Sequence, residues 1–268
     1  MSDCIVERHD GVMVIRFNRP ERMNAMGGTL LQEMNEAFRE GQADDRIRTF
    51  VVTGEGRAWC AGADLSGGPD LLGQRPAGED IHRRYNAIDP VGGAGATINL
   101  VYNCDKPTIA AINGVAVGGG LGLATAFDIR VASDQARFST VFIKRALAPD
   151  FGLSWFLPRI VGPQRAADLF FTGRMIGAEE ALGYGLVARV VPHEKLMEET
   201  MELAGQIAKQ PPMALSYTRR ALQHSAISTL REQLEYEWGH QRQCLQSEEF
   251  KEGVQAFLEK REPDFSRF

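Results

Sequence analysis

The hydrophobic pattern changes period several times along the chain, and those changes mark its elements. Ile5 to Arg8 and Val12 to Phe17 are β-rich runs flanking Asp10-Gly11, a pair suited to a tight hairpin turn. Asn18-Arg19-Pro20 stops the second run. Leu30, Leu31, Met34, Ala37 and Phe38 then recur at helical spacing and predict an amphipathic helix ending near Gly41. Thr49 to Thr53 reads as a short buried strand leading into Gly54-Glu55-Gly56. Residues 66–97 are dense in Gly and Pro and predict a long loop with one helix around Ile81 to Ala87. Pro107 to Ile112 reads as an apolar strand, followed by the glycine-rich Gly114 to Gly122, a helical stretch to Phe127, and a strand over Ile129 to Ala132. From about Phe151 onward the pattern is almost wholly helical: Met197, Met201, Ala204 and Ala208 share one face, Pro211-Pro212 opens a helix, and Leu230, Leu234 and Trp238 mark another.

Strands alternating with helices, then helices alone, predict an α/β core with a helical C-terminal region. The expected division is a core over 1–200 and a helical region over 201–268. No sequence repeat of 20–50 residues is visible. At 268 residues the chain can bury one large core. Hydrophobic residues at 44% and charged residues at 24% are ordinary for a globular protein. The net charge of −5 lacks the basic footprint of a general nucleic-acid binder. Cys4, Cys60, Cys104 and Cys244 form no C-x-x-C pair, and the histidines show no metal-ligand spacing. The opening residues do not follow a signal-peptide plan, and no apolar run approaches the ~20 residues of a bilayer span. A reduced, soluble, cytoplasmic protein without nucleic-acid or membrane partners is expected.

Two segments carry candidate chemistry. Gly56 to Leu65 (GRAWCAGADL) and Asn113 to Gly120 (NGVAVGGG) each follow an apolar strand, and the second precedes a helix. Small residues let the backbone approach a ligand, and free N–H groups favour negative charge. The glycines could equally serve tight turns. A dinucleotide site or a P-loop is disfavoured, because neither G-x-G-x-x-G nor G-K-[ST] occurs. No G-x-S-x-G marks a hydrolase nucleophile.

Read together, the two segments resemble the signature blocks of the crotonase (enoyl-CoA hydratase/isomerase) superfamily. NRPERMNAM (18–26), KPTIAAING (106–114), RFS (137–139), the PD-x-G to LPRIVG stretch (149–162) and AFLEKREPDF (256–265) extend the likeness nearly end to end. The resemblance implies a spiral of ββα units with C-terminal helices serving trimerisation, as a homotrimer or a dimer of trimers. It implies an acyl-CoA thioester substrate, with the amides of Ala63 and Gly119 holding the thioester oxygen as an enolate forms. Arg22, Ala61, Asp64 and Leu65 would contact coenzyme A, and Phe257 and Lys260 the coenzyme A of a neighbouring subunit. Arg22 and Lys260 read equally well as solvated surface charges. No metal or separate cofactor is implied.

Hydratases of this family carry two glutamates that hold a water. Here the corresponding positions are Gly122 and Phe142. One carboxylate remains in a suitable place, Asp150, where isomerase-like members with a single Asp carry their acid. A single carboxylate can take a proton from one carbon and return it to another. An apolar pocket with Phe142 and Phe151 would raise its pKa. Its competing role is a helix N-cap. A related dehalogenase type pairs this Asp with a Trp at the position of Phe142 and a His before the KP strand. Phe142 and the absence of His from 91–105 oppose that chemistry. Isomerisation of an enoyl-CoA is the expected activity, with hydration or another crotonase reaction as the alternative, and non-catalytic acyl-CoA binding as the alternative of another class.

Overall fold

The computed structural model describes residues 2–68 and 92–268. The first two strands, β1 (Cys4–His9) and β2 (Val12–Phe17), pair antiparallel in register Cys4 with Phe17 through His9 with Val12. Asp10 and Gly11 both take positive φ (41° and 86°), as a type I′ hairpin requires. Helix α1 (Leu30–Ala43) buries Leu30, Met34, Ala37, Phe38 and Gly41, the face its spacing predicts.

Three strand pairs follow: β3 (Thr49–Gly54) with β4 (Ala58–Cys60), β5 (Thr108–Ile112) with β6 (Val115–Val117), and β7 (Ile129–Ser133) with β8 (Arg137–Ser139). The first member of each pair joins a six-stranded sheet, ordered β1-β2-β3-β5-β7-β10. The second joins a four-stranded sheet, ordered β4-β6-β8-β9. Here β9 is Ile176–Gly177 and β10 is Arg189–Val191. The strands from β2 to β10 in the large sheet run parallel, as do β4, β6 and β8 in the small one. Helices α2 (Gly92–Tyr102) and α3 (Gly119–Thr125) follow the first two pairs, and α4 (Leu153–Val161) and α5 (Pro163–Thr172) the third. The repeat is thus one of structure, without the sequence self-similarity that would have announced it.

Two corrections to the sequence reading concern length. β9 and β10 lie in the region expected to be almost wholly helical. With two and three residues they are too short for alternation to show. The loop expected over 66–97 ends early, because residues 92–97 already belong to α2 despite Gly92, Gly93 and Gly95. Tertiary contact outweighs their poor helix propensity: Thr97, Ile98 and Val101 are buried, and Asn35 of α1 donates from Nδ2 to Thr97 Oγ1 at 3.0 Å. The helix expected around Ile81 to Ala87 lies outside the described residues.

Both faces of the central strands of the large sheet are covered, so β2, β3 and β5 read as nearly continuous apolar runs. Met13, Ile15, Phe17, Phe50 and Val52 face α1 and the small sheet. Val12, Val14, Val51, Ile109 and Val131 face helix α7 (Leu196–Ala208). That helix straddles the division expected at residue 200 and packs on the sheet through Leu196 and Ala204. Beyond it come α8 (Pro212–Ser225), α9 (Leu230–Cys244) and α10 (Glu248–Glu259). Thr229 and Glu232 form a capping box that starts α9. No helix among the described residues is long and apolar enough to cross a membrane.

Candidate active site

Parallel pairing within the small sheet assembles the site. Ala58 aligns with Val115 and Cys60 with Ala116, while Val117 aligns with Ser139 on β8. Segments leaving the carboxyl ends of β4, β6 and β8 therefore emerge side by side, where open α/β sheets present their ligand crevices. These segments carry Ala61-Gly62-Ala63, Gly118-Gly119-Gly120 and Thr140-Val141-Phe142. Trp59 anchors the first of them: its ring is fully buried, meets Phe17 edge-on at 5.3 Å, and its Nε1 donates to Val52 O at 3.1 Å.

The orientation of Ala63 follows from its bridge to Met26. Met26 N donates to Gly62 O (2.7 Å) and Asp64 N donates to Met26 O (3.1 Å). In such a parallel bridge the intervening Ala63 amide points away from Met26. Gly62, at φ 83°, makes the turn that aims it. A Cβ on Gly62 would fall 2.9 Å from Val117 O and 3.5 Å from Gly119 N, so the two glycine segments are in contact. Gly119 is the first residue of α3, where an N–H has no partner within the helix. The arrangement can present two backbone donors to one oxygen.

A loop closes the site from the other side. Leu153 N donates to Asp150 O at 3.0 Å, and Phe151 and Gly152 between them have φ 50° and 67°. The Phe151 ring packs on Gly119 and its backbone on Gly122; a Cβ on Gly122 would meet Phe151 Cβ at 2.6 Å and Asp150 O at 3.3 Å. Phe142 is buried beside Gly118, its Cζ 4.0 Å from that residue's Cβ position. Asp150 does not cap the following helix, whose N-cap is Gly152. Burial pushes the Asp150 carboxyl above the usual carboxylate range, although much of the residue still reaches solvent.

Asp64 has a different setting. Ser66 holds its carboxyl below the usual range, aided by Arg19, which donates to Oδ2 at 3.0 Å. It is a firmly ionised partner of structural contacts, hence a poor base. Burial pushes the thiols of Cys4 and Cys60 up to about 12 and that of Cys104 to about 11, which removes them as nucleophiles near neutrality.

Arg22 ends a short 3-10 turn over Pro20–Arg22, exposed to solvent, and Ala61 N donates to the adjacent Met23 O at 3.1 Å. Arg22, Ala61, Asp64 and Leu65 thus share one rim beside Ala63, with Leu65 39% exposed. Phe257 and Lys260 are apart from it, at the end of α10. Phe257 is 81% exposed and lines a groove with Pro211, Phe250, Val254 and Phe265.

Two positioning residues escaped the sequence reading. Asn24, fully buried at φ 52°, accepts from Arg19 N and donates to Glu55 O and Ala58 O, tying the 19–26 segment to the start of β4. Arg19 donates to both Asp64 and Ala25 O. Both lie in NRPERMNAM, whose family likeness was visible while its buried polar network was not.

The profile of the enoyl-CoA hydratase/isomerase family matches residues 7–267. The chain is 37% identical to 1,2-epoxyphenylacetyl-CoA isomerase of Escherichia coli, covering 96% of this chain and 95% of that protein. It is 39% identical to 4-chlorobenzoyl coenzyme A dehalogenase-1 of an Arthrobacter species, over 87% and 82%. The crystal structure of an enoyl-CoA hydratase from Bacillus anthracis superposes with a TM-score of 0.89 at 32% identity, covering 99% of each chain.

Proposed function

The chain belongs to the enoyl-CoA hydratase/isomerase family of acyl-CoA-processing enzymes, and on that premise we infer that it moves the double bond of an enoyl-CoA through a thioester enolate. One observation carries the choice of isomerisation. The Asp150–Leu153 turn lays the Asp150 carbonyl and the Phe151 side chain on Gly122, so Phe151 fills the space that a hydratase acid at this position would need and Asp150 is left as the one carboxylate at the family's catalytic positions.

In this reading the Ala63 and Gly119 amides hold the thioester oxygen. Each such donor typically contributes ~10²–10³ in rate, because charge on that oxygen is greatest in the transition state. Asp150 removes a proton from one carbon of the allylic system and returns it to the other. The raised pKa strengthens it as a base. Arg22, Ala61, Asp64 and Leu65 flank the coenzyme A. The exposed apolar side chains of α8 and α9 support assembly as a homotrimer or dimer of trimers, in which Phe257 and Lys260 meet the coenzyme A of a neighbouring protomer. Coenzyme A enters as part of the substrate, and the proton transfer calls for no further cofactor.

The test is NMR of a 3-enoyl-CoA panel, aliphatic and aryl-substituted, incubated with the enzyme in D₂O. Deuterium incorporation with double-bond migration is the expected result. Exchange without migration would keep the enolate site and remove isomerisation. Binding with neither would favour a non-catalytic acyl-CoA binder, and a 3-hydroxyacyl product would favour hydration.

A further inference from the structure

Phe151 stands in a conformation that a bulky L side chain adopts only under constraint. Its φ is 50°, and with Gly152 at 67° and the Leu153 N to Asp150 O bond it occupies the first central position of a type I′-like turn. Asn, Asp or Gly would sit there without strain. Strain of this kind gathers at functional sites, and here the neighbours indicate what it accomplishes. Gly119 and Gly122 are three apart on α3 and so share one face. A Cβ on Gly119 would lie 2.9 and 3.1 Å from Cδ2 and Cε2 of the Phe151 ring. A Cβ on Gly122 would lie 2.6 Å from Phe151 Cβ and 3.0 Å from Phe151 O. That face of the helix is bare, and one phenylalanine is laid along it.

We propose that Phe151 is a specificity-determining residue that excludes water from the Gly119–Gly122 face, so that Asp150 exchanges protons with carbon and not with an attacking water. The inference rests on the isomerase reading given above. Hydration of a 2-enoyl thioester requires a water at C3. Its oxygen bonds to C3 while a base takes one of its protons, and a proton is delivered to C2. Asp150 could serve as that base if a water had room beside it. The Phe151 side chain and its backbone carbonyl take the room on the Gly122 side. The half-buried ring flanks the residue whose amide is assigned to the enolate oxygen.

Two variants separate cover from folding. Phe151→Gly removes the ring at a position whose backbone favours glycine, so the turn is retained. Phe151→Leu keeps an apolar cover. Each is incubated with a 2-enoyl-CoA in H₂¹⁸O and with the matching 3-enoyl-CoA in D₂O, and the ratio of ¹⁸O-labelled 3-hydroxyacyl-CoA to isomerised product is measured. In Phe151→Gly that ratio should rise by about 10²-fold, the lower end of what a positioned base contributes once a water can reach it. Phe151→Leu should stay near the wild-type ratio. Amide hydrogen exchange at Gly119, read without substrate, should quicken in Phe151→Gly. An unchanged product ratio in folded Phe151→Gly would overturn the proposal, as would unchanged exchange at Gly119. If the wild-type enzyme isomerises nothing while Gly119 exchange still responds, the isomerase reading falls and the exclusion of water stands.

Discussion

In the proposed isomerisation, Asp150 and Gly122 carry the choice of chemistry at the scale of single residues. Burial raises the Asp150 pKa, so its ionised, active form is lost on acidification at a higher pH than for an ordinary Asp. The acid limb of kcat/KM should therefore lie above about 3.9, the unperturbed value. Asp150→Asn should remove that limb along with about 10²–10⁴ of the rate, and calorimetry should find CoA-ester affinity largely kept. The same shift has a consequence for folding. A carboxyl whose folded pKa is raised contributes stability below its unfolded pKa and loses it as pH rises through the folded value. At neutral pH the ionised group thus costs the folded state, and Asp150→Asn should unfold at the same temperature as wild type or higher. Gly122→Ala should do the reverse: its new methyl would lie 2.6 Å from Phe151 Cβ, and overpacking of this kind costs about 1–3 kcal/mol in urea unfolding. Gly122 was legible in the sequence as a missing acid. Its second role, admitting the Phe151 turn, involves a contact between positions 29 residues apart and carries no local signal.

Among the elements, the junction of α8 with the core depends on Arg219. Its side chain is 5% exposed. Nε donates to Asp128 Oδ2 at 2.8 Å, while the guanidinium nitrogens donate to the carbonyls of Val101, Tyr102 and Cys104 at the end of α2. Helix C-termini leave carbonyls without partners and favour a cation, so one arginine from a distant helix completes α2. Asp128 in turn accepts from Thr108 N and Oγ1 at the start of β5. Arg219→Met would leave these acceptors unpaired, and should lower stability by about 2–3 kcal/mol by chemical denaturation. Because α2 also supplies Ile98, 3.5 Å from the Cβ position of Gly152, the loss should reach the Asp150 turn as a fall in kcat. In the sequence Arg219 is one of an Arg-Arg pair on a helix, and nothing local tells it from Arg220, which pairs with Asp105 in a more exposed setting.

At the scale of the molecule, the large apolar side chains without cover among the described residues are concentrated at the C-terminal end. Leu222, Ile227, Leu230, Leu234 and Trp238 on and between α8 and α9 are 55–77% exposed, and Leu234 and Trp238 border a groove of about 570 Å³ with Tyr217 and His240. Contiguous apolar surface of this kind marks an interaction site. With the proposed trimer, Trp238→Asp should shift the mass measured by light scattering to that of the single chain. Affinity for a CoA ester should fall in the same variant, because Phe257 and Lys260 would no longer be presented to a neighbour.

Periodicity alone was enough for the hairpin at Asp10-Gly11, the buried face of α1 and the runs that became β3, β5 and β7. These depend on spacings of two to four residues and on turn chemistry, which neighbouring residues specify between them. Motif likeness extended the reading to Ala63, Gly119 and Asp150 as candidates. Tertiary structure alone decided the remainder. The division of each strand pair between two sheets depends on long-range pairing, and β4, β8, β9 and β10 are too short to declare themselves. The start of α2 at Gly92 depends on burial against α1. Asn24, Arg19 and Arg219 became informative only once their carbonyl and carboxylate partners, up to 118 residues away, were brought within hydrogen-bonding reach. A polar side chain looks like surface in a sequence; burial with a satisfied partner is what turns it into architecture.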